Sequence, residues 1–349
     1  MTNISYTPIL TEASYVHAKQ AMPYTLELIS TLPFVPVSTT TGTIIKPNLD
    51  EQRRNDVLSN PYGTTIEARI SDTSTVAFTT ASFNDAERLL GVEGINVGGL
   101  TSVTVQEHML NLATITAERS AFKLIKGFAN EFMNANNYGL GSKTDPTDWT
   151  TATTDLVKQI TDKVDEVQKI SGAVPDTIIV TKDVHAIIRN NVNVLDALAG
   201  FGASTSQGSE LGAYRLGLNN FARVFGVQNY FVLDGSYNGA GIRATASNSW
   251  IDTRKLLIAC LGQNLSLNGS TIQNYGGLGV CPYVDVTSLS SAEYRIGNGS
   301  NTLPFPIVTR TSFNPEVAGG GEHRIISEVL AGFKIIEPLY GHLIYNAIA

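Results

Sequence analysis

Residues 148–198 read DWTTATTDLVKQITDKVDEVQKISGAVPDTIIVTKDVHAIIRNNVNVLDAL. Leu156, Ile160, Val164, Val167 and Ile170 fall at spacings of four, four, three and three, which lines them up on one face of a helix with about 3.6 residues per turn. Thr153 or Thr154 is the candidate cap that starts this helix, and Gly172 and Pro175 are its stop signals. TIIVT at 177–181 is apolar without alternation, as a strand covered on both faces should be. Val184, Ile187 and Ile188 then open another helix. The order is helix, strand, helix.

Beyond a small-residue loop at 202–209, LGAYRLGLNNFARVFG predicts a helix over 211–224 through Leu211, Leu218, Phe221 and Val224. NYFVL at 229–233 and KLLIACL at 255–261 predict two more buried strands, separated by turn-like residues. The middle of the chain is therefore a mixed helix-and-sheet lobe built on a central sheet. Further on, Gly and Asn dominate to about residue 280. Short strands are expected near 283–287, 293–296 and 307–311, then two or three strands to the end with turns at Gly332 and near Pro338.

Upstream lies the longest helical pattern, residues 103–134, after Gly98 and Gly99. Leu112, Ile115, Phe122, Ile125, Phe128 and Phe132 make its apolar line, while Arg119, Lys123 and Lys126 fall on another. At about 1.5 Å per residue it spans some 45 Å. The cluster NYGLG at 137–141 ends it. Before it, residues 43–80 read as a strand at 43–45, the polar stretch KPNLDEQRRNDVLSNPYG, then TTIEARI and STVAFTT with partial alternation. This is a long two-stranded excursion, with Asp50, Glu51, Arg53, Arg54 and Asp56 in its middle and too few apolar residues to bury by itself. An isolated hairpin is marginal in water, so it needs something to lie on. Residues 1–40 carry apolar side chains punctuated by Pro8, Pro23, Pro33 and Pro36, which exclude one long helix and suggest an extended arm.

The bulk numbers narrow the class. A chain of 349 residues exceeds what one core normally serves, so more than one lobe is expected. No stretch is long and apolar enough to span a bilayer, and no secretory leader is expected from the opening residues. Cys260 and Cys281 read as buried small hydrophobes. A net charge of −7 without a Lys/Arg run argues against tight nucleic-acid binding. Charged residues are only 16%, against about 25% in an average domain, as suits a surface covered by copies of itself.

The order of parts resembles the tailed-bacteriophage major capsid proteins over nearly the whole chain. The 148–198 stretch carries the resemblance most strongly, with LNNFARVFGVQNYFVLDGSYNGAG at 218–241, WIDTRKLLIACLG at 250–262 and EPLYGHLIYNAI at 337–348. The resemblance implies an α+β, HK97-type capsid fold. Its parts would be an N-terminal arm at 1–42 and an extended β-hairpin loop at 43–80. A peripheral domain at 81–149 and 321–349 would hold a spine helix at 103–135, and an axial domain at 150–320 the central sheet. It also implies a structural, non-enzymatic subunit that forms pentamers and hexamers and closes an icosahedral shell around double-stranded DNA without specific DNA binding. Scaffold, portal and decoration proteins would be further partners, and assembly in the host cytoplasm would lead to the virion. Inter-subunit contacts would come from Arg53, Arg54, Asp56, Glu67 and Arg69. Some relatives crosslink neighbours through a loop lysine; here Lys46 is the lone lysine between residues 20 and 122 and sits at the loop's base, so that chemistry is not carried over. An encapsulin-like nanocompartment shell shares the fold and stays open as an alternative, as does a soluble α/β enzyme.

Residues for an enzyme do not converge. His17, His108, His185, His323 and His342 lie far apart with no metal-ligand spacing. Gly141, Ser142, Lys143 and Thr144 lack phosphate-loop spacing, and Gly276, Gly277 and Gly279 lack a following helix. Asp145, Asp148 and Asp155 lie near a helix start, where carboxylates meet the helix dipole favourably. No catalytic, cofactor or metal residue is expected.

Overall fold

The computed structural model describes residues 3–6, 23–47, 73–90, 103–145, 149–151, 154–200, 218–238, 245, 248–261, 264–267, 270–273, 277–284, 308–314 and 322–348. At its centre is a five-stranded sheet in the order Lys143–Thr144, Gly341–Ile344, Leu256–Ala259, Thr177–Thr181, Asn229–Leu233. Thr177–Thr181 runs antiparallel to Leu256–Ala259 and parallel to Asn229–Leu233. All five of its residues are buried, as the unbroken apolar run requires. Asp176, just before it, ties the start of Asn229–Leu233 to the residues after Leu256–Ala259: its carbonyl accepts from Gln228 and Asn229 N–H, and its carboxylate accepts from Leu261 N–H at 3.1 Å.

The helix Leu156–Ser171 buries Leu156, Ile160, Val164 and Val167, while Ile170 falls at the edge of the stripe. Its cap differs from the expected threonines. Asp155 Oδ1 accepts from Lys158 N–H at 3.0 Å, and the stop is Gly172 in the left-handed region at φ 71°. Thr154, one residue earlier, offers its carbonyl to Leu156 N–H and to Asn191 Nδ2, and Thr153 lies outside the described residues. Helix Lys182–Asn190 follows as expected, and after a break at Asn191 a second helix, Val192–Gly200, comes behind it. Of the helix expected over 211–224, Leu218–Val224 is described. It ends in paired return bonds, Val227 N–H to Ala222 O and Gly226 N–H to Arg223 O, with Gly226 at φ 71°. That is the glycine-dependent closure of a Schellman motif, and it delivers the chain into Asn229–Leu233.

A second, seven-stranded sheet is built on Glu322–Ala331. Ala81–Leu90 pairs antiparallel along its full length and Val308–Asn314 pairs on its other edge. Asn3–Tyr6 adds outside Val308–Asn314, and Gly279–Tyr283, Lys334–Ile335 and Phe34–Pro36 complete the sheet. Of the strand expected at 283–287, residues 285–287 lie outside the described residues, as does the strand expected at 293–296, and Tyr283 is the last residue of Gly279–Tyr283. A Cβ at Gly279 would stand 2.6 Å from both Lys334 O and Phe132 Cζ, so this glycine belongs to a close approach within a strand.

The long helix is Val103–Phe132, close to the expected bounds, and lies against Glu322–Ala331 and Ala81–Leu90. Its buried line is the expected one only in part: Ile125, Phe128 and Phe132 are buried as expected, whereas Ile115 is exposed and Leu112 and Phe122 are only half-buried. The rest of the buried face is Ala113, Thr116, Ala117, Ser120, Ala121 and Leu124. Small side chains let the helix axis approach the strand closely enough for Thr116 Oγ1 and Ser327 Oγ to hydrogen-bond at 2.9 Å, and for Ser120 Oγ to donate to Ser327 O at 2.9 Å. At Gly127 the ring of Phe83 fills the space a Cβ would need. Phe128, Phe132 and Phe333 then close an aromatic cluster, with the first two stacked at 4.8 Å.

Prolines exclude a long N-terminal helix, but between Pro23 and Pro33 a short one fits. Pro23–Thr31 is helical and, with Leu32, buries Leu28 and Ile29. Proline at a helix start loses no internal hydrogen bond there. A single apolar cluster runs through both sheets, and the chain passes between them at Ile336 and the turn Pro338–Tyr340 before Gly341–Ile344.

Candidate assembly surfaces

The candidate histidines and cysteines whose side chains are described, His185, His342, Cys260 and Cys281, are held in structural surroundings. His185 is buried, its Nδ1 lies 3.0 Å from Tyr230 Oη, and burial, assisted by Arg189 and Lys182, holds its pKa down at about 4. His342 is held at about 4 mainly by burial, its Nε2 lying 2.7 Å from Thr144 Oγ1. Both imidazoles are neutral at neutral pH. Cys260 and Cys281 are free and buried, and burial pushes the Cys260 thiol up to about 12 and the Cys281 thiol higher still. Such thiols are inert. Lys143 donates to Ala135 O from a strand, Asp145 is exposed, Asp155 is the helix cap and Asp148 lies outside the described residues. Among the described residues no group of histidine, cysteine and carboxylate side chains is placed to hold a metal ion. Nor is any described helix long and apolar enough to cross a membrane.

The surface feature that sequence reasoning singled out begins at Thr41–Pro47 and Thr73–Thr79, which pair antiparallel from Thr41 with Thr79 to Pro47 with Thr73. This two-stranded root has two unlike faces, because successive side chains alternate. Inward, Ile44 and Phe78 pack with Val280 and Ile336, flanked by Val35 and Val37. Gly42 lies under the Phe78 ring, whose Cζ would be 2.7 Å from a Cβ there. Outward, Thr41, Thr43, Thr75, Ala77 and Thr79 are exposed, a neutral face of small side chains. At the body end Thr80 N–H and Oγ1 both donate to Thr40 O. At the far end Lys46 Nζ stands 2.8 Å from Glu337 Oε2. The residues named for inter-subunit contact, Arg53, Arg54, Asp56, Glu67 and Arg69, lie outside the described residues, as does the strand expected at 64–70.

A second charged surface joins the long helix to Ala81–Leu90. Arg119 donates to Asp85 at 3.3 Å and to Glu87, and Lys123 donates to Asp85 at 2.8 Å. Both cations are about half exposed, so solvent screens these pairs and each contributes on the order of 0–1 kcal/mol. Exposed apolar side chains are scattered, among them Leu140 on its turn, Val174, Val192 and Trp250.

No protein-family model matches the chain, and no curated protein matches it in sequence. Solved structures match it in fold. A phage-related protein from Bordetella bronchiseptica superposes with a TM-score of 0.62 at 10% identity, over 99% of this chain and 98% of that one. A virus-like particle from Pyrococcus furiosus does so with a TM-score of 0.51 at 9% identity, over 96% and 97%. The capsid of a native GTA particle gives 0.51 at 11% identity, over 93% and 90%. The chain therefore has the capsid fold, a mixed helix-and-sheet architecture held in common with these proteins along almost its whole length.

Proposed function

We propose that this chain is the structural subunit of an icosahedral shell around double-stranded DNA, a tailed-bacteriophage major capsid protein of HK97 type. The observation that carries the reading is the likeness in fold to a virus-like particle and a capsid over more than nine-tenths of the chain. On this reading residues 1–42 are the arm, 43–80 the extended loop, 103–135 the spine helix of a peripheral domain at 81–149 and 321–349, and 150–320 the axial domain. Strand Gly341–Ile344 reaches from the peripheral part into the axial sheet. The hairpin root supports the assignment: its inner face is anchored on its own subunit, while its outer face is open to a neighbour. Arg53, Arg54, Asp56, Glu67 and Arg69 then meet the adjacent copy within pentamers and hexamers. A net charge of −7 suits an inner wall that contains DNA without gripping it. The subunit needs no cofactor and performs no catalysis. Separate scaffold, portal and decoration proteins complete a virion that assembles in the host cytoplasm.

Light scattering and negative-stain electron microscopy of the purified full-length chain test this reading. Closed shells or five- and six-membered rings are expected, and their contents, DNA or a protein cargo, separate a capsid from a nanocompartment. A folded monomer or dimer that stays small in the presence of crowding agents overturns the proposal.

A further inference from the structure

The hairpin root is held at two places along its length by different forces. At the body end the Thr80 bonds to Thr40 O, and the fit of Gly332 against Thr79 O, where a Cβ would come within 2.6 Å, fix a pivot. Along the inner face the packing of Ile44 and Phe78 on Val280 and Ile336 is apolar and carries no direction of its own. It resists lifting of the ribbon more than it resists rotation in the plane of contact.

The directional restraint is at the far end. Lys46 Nζ meets Glu337 Oε2 at 2.8 Å, with the lysine side chain 26% and the carboxylate 10% exposed, so the pair is screened less than a surface ion pair. Glu337 is itself positioned: its other oxygen accepts from Leu339 N–H at 3.3 Å, at the start of the turn Pro338–Tyr340. That turn carries the chain from the seven-stranded sheet into Gly341–Ile344 of the central sheet. A ribbon pinned at one end swings, and a ribbon pinned at both ends points. From Thr40 to Lys46 the separation of the pins is about 20 Å at roughly 3.4 Å per strand residue.

We propose that the Lys46–Glu337 ion pair is an angle-setting latch: it fixes the direction in which the excursion leaves the subunit and thereby the curvature at which neighbouring copies meet. The inference rests on the shell reading above and adds to it a positioning pair. Covalent geometry allows the 25 residues at 48–72 to reach at most about 40 Å from the root, so a 10° change in the root's direction moves a point at that limit by ~7 Å.

The test uses the full-length chain and three variants, with shell diameters measured by negative-stain microscopy and folding of the subunits checked by circular dichroism. Lys46→Met removes the cation. Glu337→Gln removes the charge while keeping an acceptor for Leu339 N–H, so it remains informative if Lys46→Met fails to fold. Lys46→Arg keeps the pair. The expected result is loss of the single-diameter population in the first two, as a broadened distribution or as unclosed rings, and its retention in Lys46→Arg. Unchanged diameters in Lys46→Met or Glu337→Gln overturn the latch, and so does a Lys46→Arg variant that behaves like Lys46→Met. Failure of the unsubstituted chain to make any particle counts instead against the shell reading, so the two failures are distinct.

Discussion

Replacing Gly279 by alanine probes the joint where the long helix, the seven-stranded sheet and the C-terminal segment meet. The added Cβ would lie 2.6 Å from Lys334 O and 2.6 Å from Phe132 Cζ. Neither neighbour can yield cheaply. Lys334 O is backbone of a strand paired with Val280, and the Phe132 ring is fully buried, stacked on Phe128 at 4.8 Å and set edge-on to Phe333 at 6.5 Å. Overpacking of this kind costs about 1–3 kcal/mol, and alanine recovers at most ~1 kcal/mol of that by stiffening the unfolded chain. The net expectation is a loss of about 1–2 kcal/mol, which lowers the unfolding midpoint by roughly 1–3 °C in a chain of this size. Gly139→Ala is the control, since nothing lies within 4 Å of its Cβ position and its φ of −71° suits any residue. The assay is calorimetric unfolding of both variants and the unsubstituted chain in the same state of assembly, because association by itself raises the midpoint. A Gly279→Ala variant as stable as Gly139→Ala would refute the close approach of Phe132 and Lys334 to this strand.

Asp155→Ala should lower stability by about 1 kcal/mol through loss of the carboxylate that accepts from Lys158 N–H, read as a denaturant midpoint, whereas Thr154→Ala leaves its carbonyl in place and should cost less. His185 and His342 are held at about 4, below the unfolded value of roughly 6.5, so the unfolded chain binds the extra protons. Their contribution is therefore undiminished above pH 6.5 and shrinks as the pH falls from 6.5 to 4, by about 2 kcal/mol per histidine at pH 5. Denaturant midpoints compared at pH 7.5 and pH 5 for His342→Gln and the unsubstituted chain should show the shallower pH dependence in the variant; equal slopes would contradict the burial of a neutral imidazole. Reversing the loop charges with Arg53→Glu and Arg54→Glu together should leave the subunit folded by circular dichroism but impair assembly, and normal shells from that variant would remove these two residues from the interface.

Much of the central sheet was legible because its strands are short, apolar and bounded by glycine, proline and polar residues. TIIVT at Thr177–Thr181 and NYFVL at Asn229–Leu233 announce buried strands, and the spacing of Leu156, Ile160, Val164 and Val167 announces the helix before them. The long helix was legible in extent, and in orientation only in its second half, where Ile125, Phe128 and Phe132 are buried as expected. Higher up, a search for large apolar side chains picks out Ile115 and Phe122, while the buried residues are Ala113, Ala117, Ser120 and Ala121, whose value lies in being small. The short helix Pro23–Thr31 was hidden by the density of prolines around it, although Pro23 stands at a helix start where proline is tolerated. Of the candidate assembly surface, the two strands that pair as Thr41–Pro47 and Thr73–Thr79 could be read from alternation. Their anchorage could not, because Glu337, Val280 and Ile336 come to Lys46, Ile44 and Phe78 only through the tertiary fold.

The most direct measurement is a cryo-electron microscopy reconstruction of particles formed by the full-length chain. The proposed function requires a closed icosahedral shell of pentamers and hexamers in which residues 48–72 of each copy lie across an adjacent copy, leaving from a root packed on Val280 and Ile336 of their own subunit. Particles in which those residues fold back on their own subunit, or preparations in which no shell forms, would contradict it.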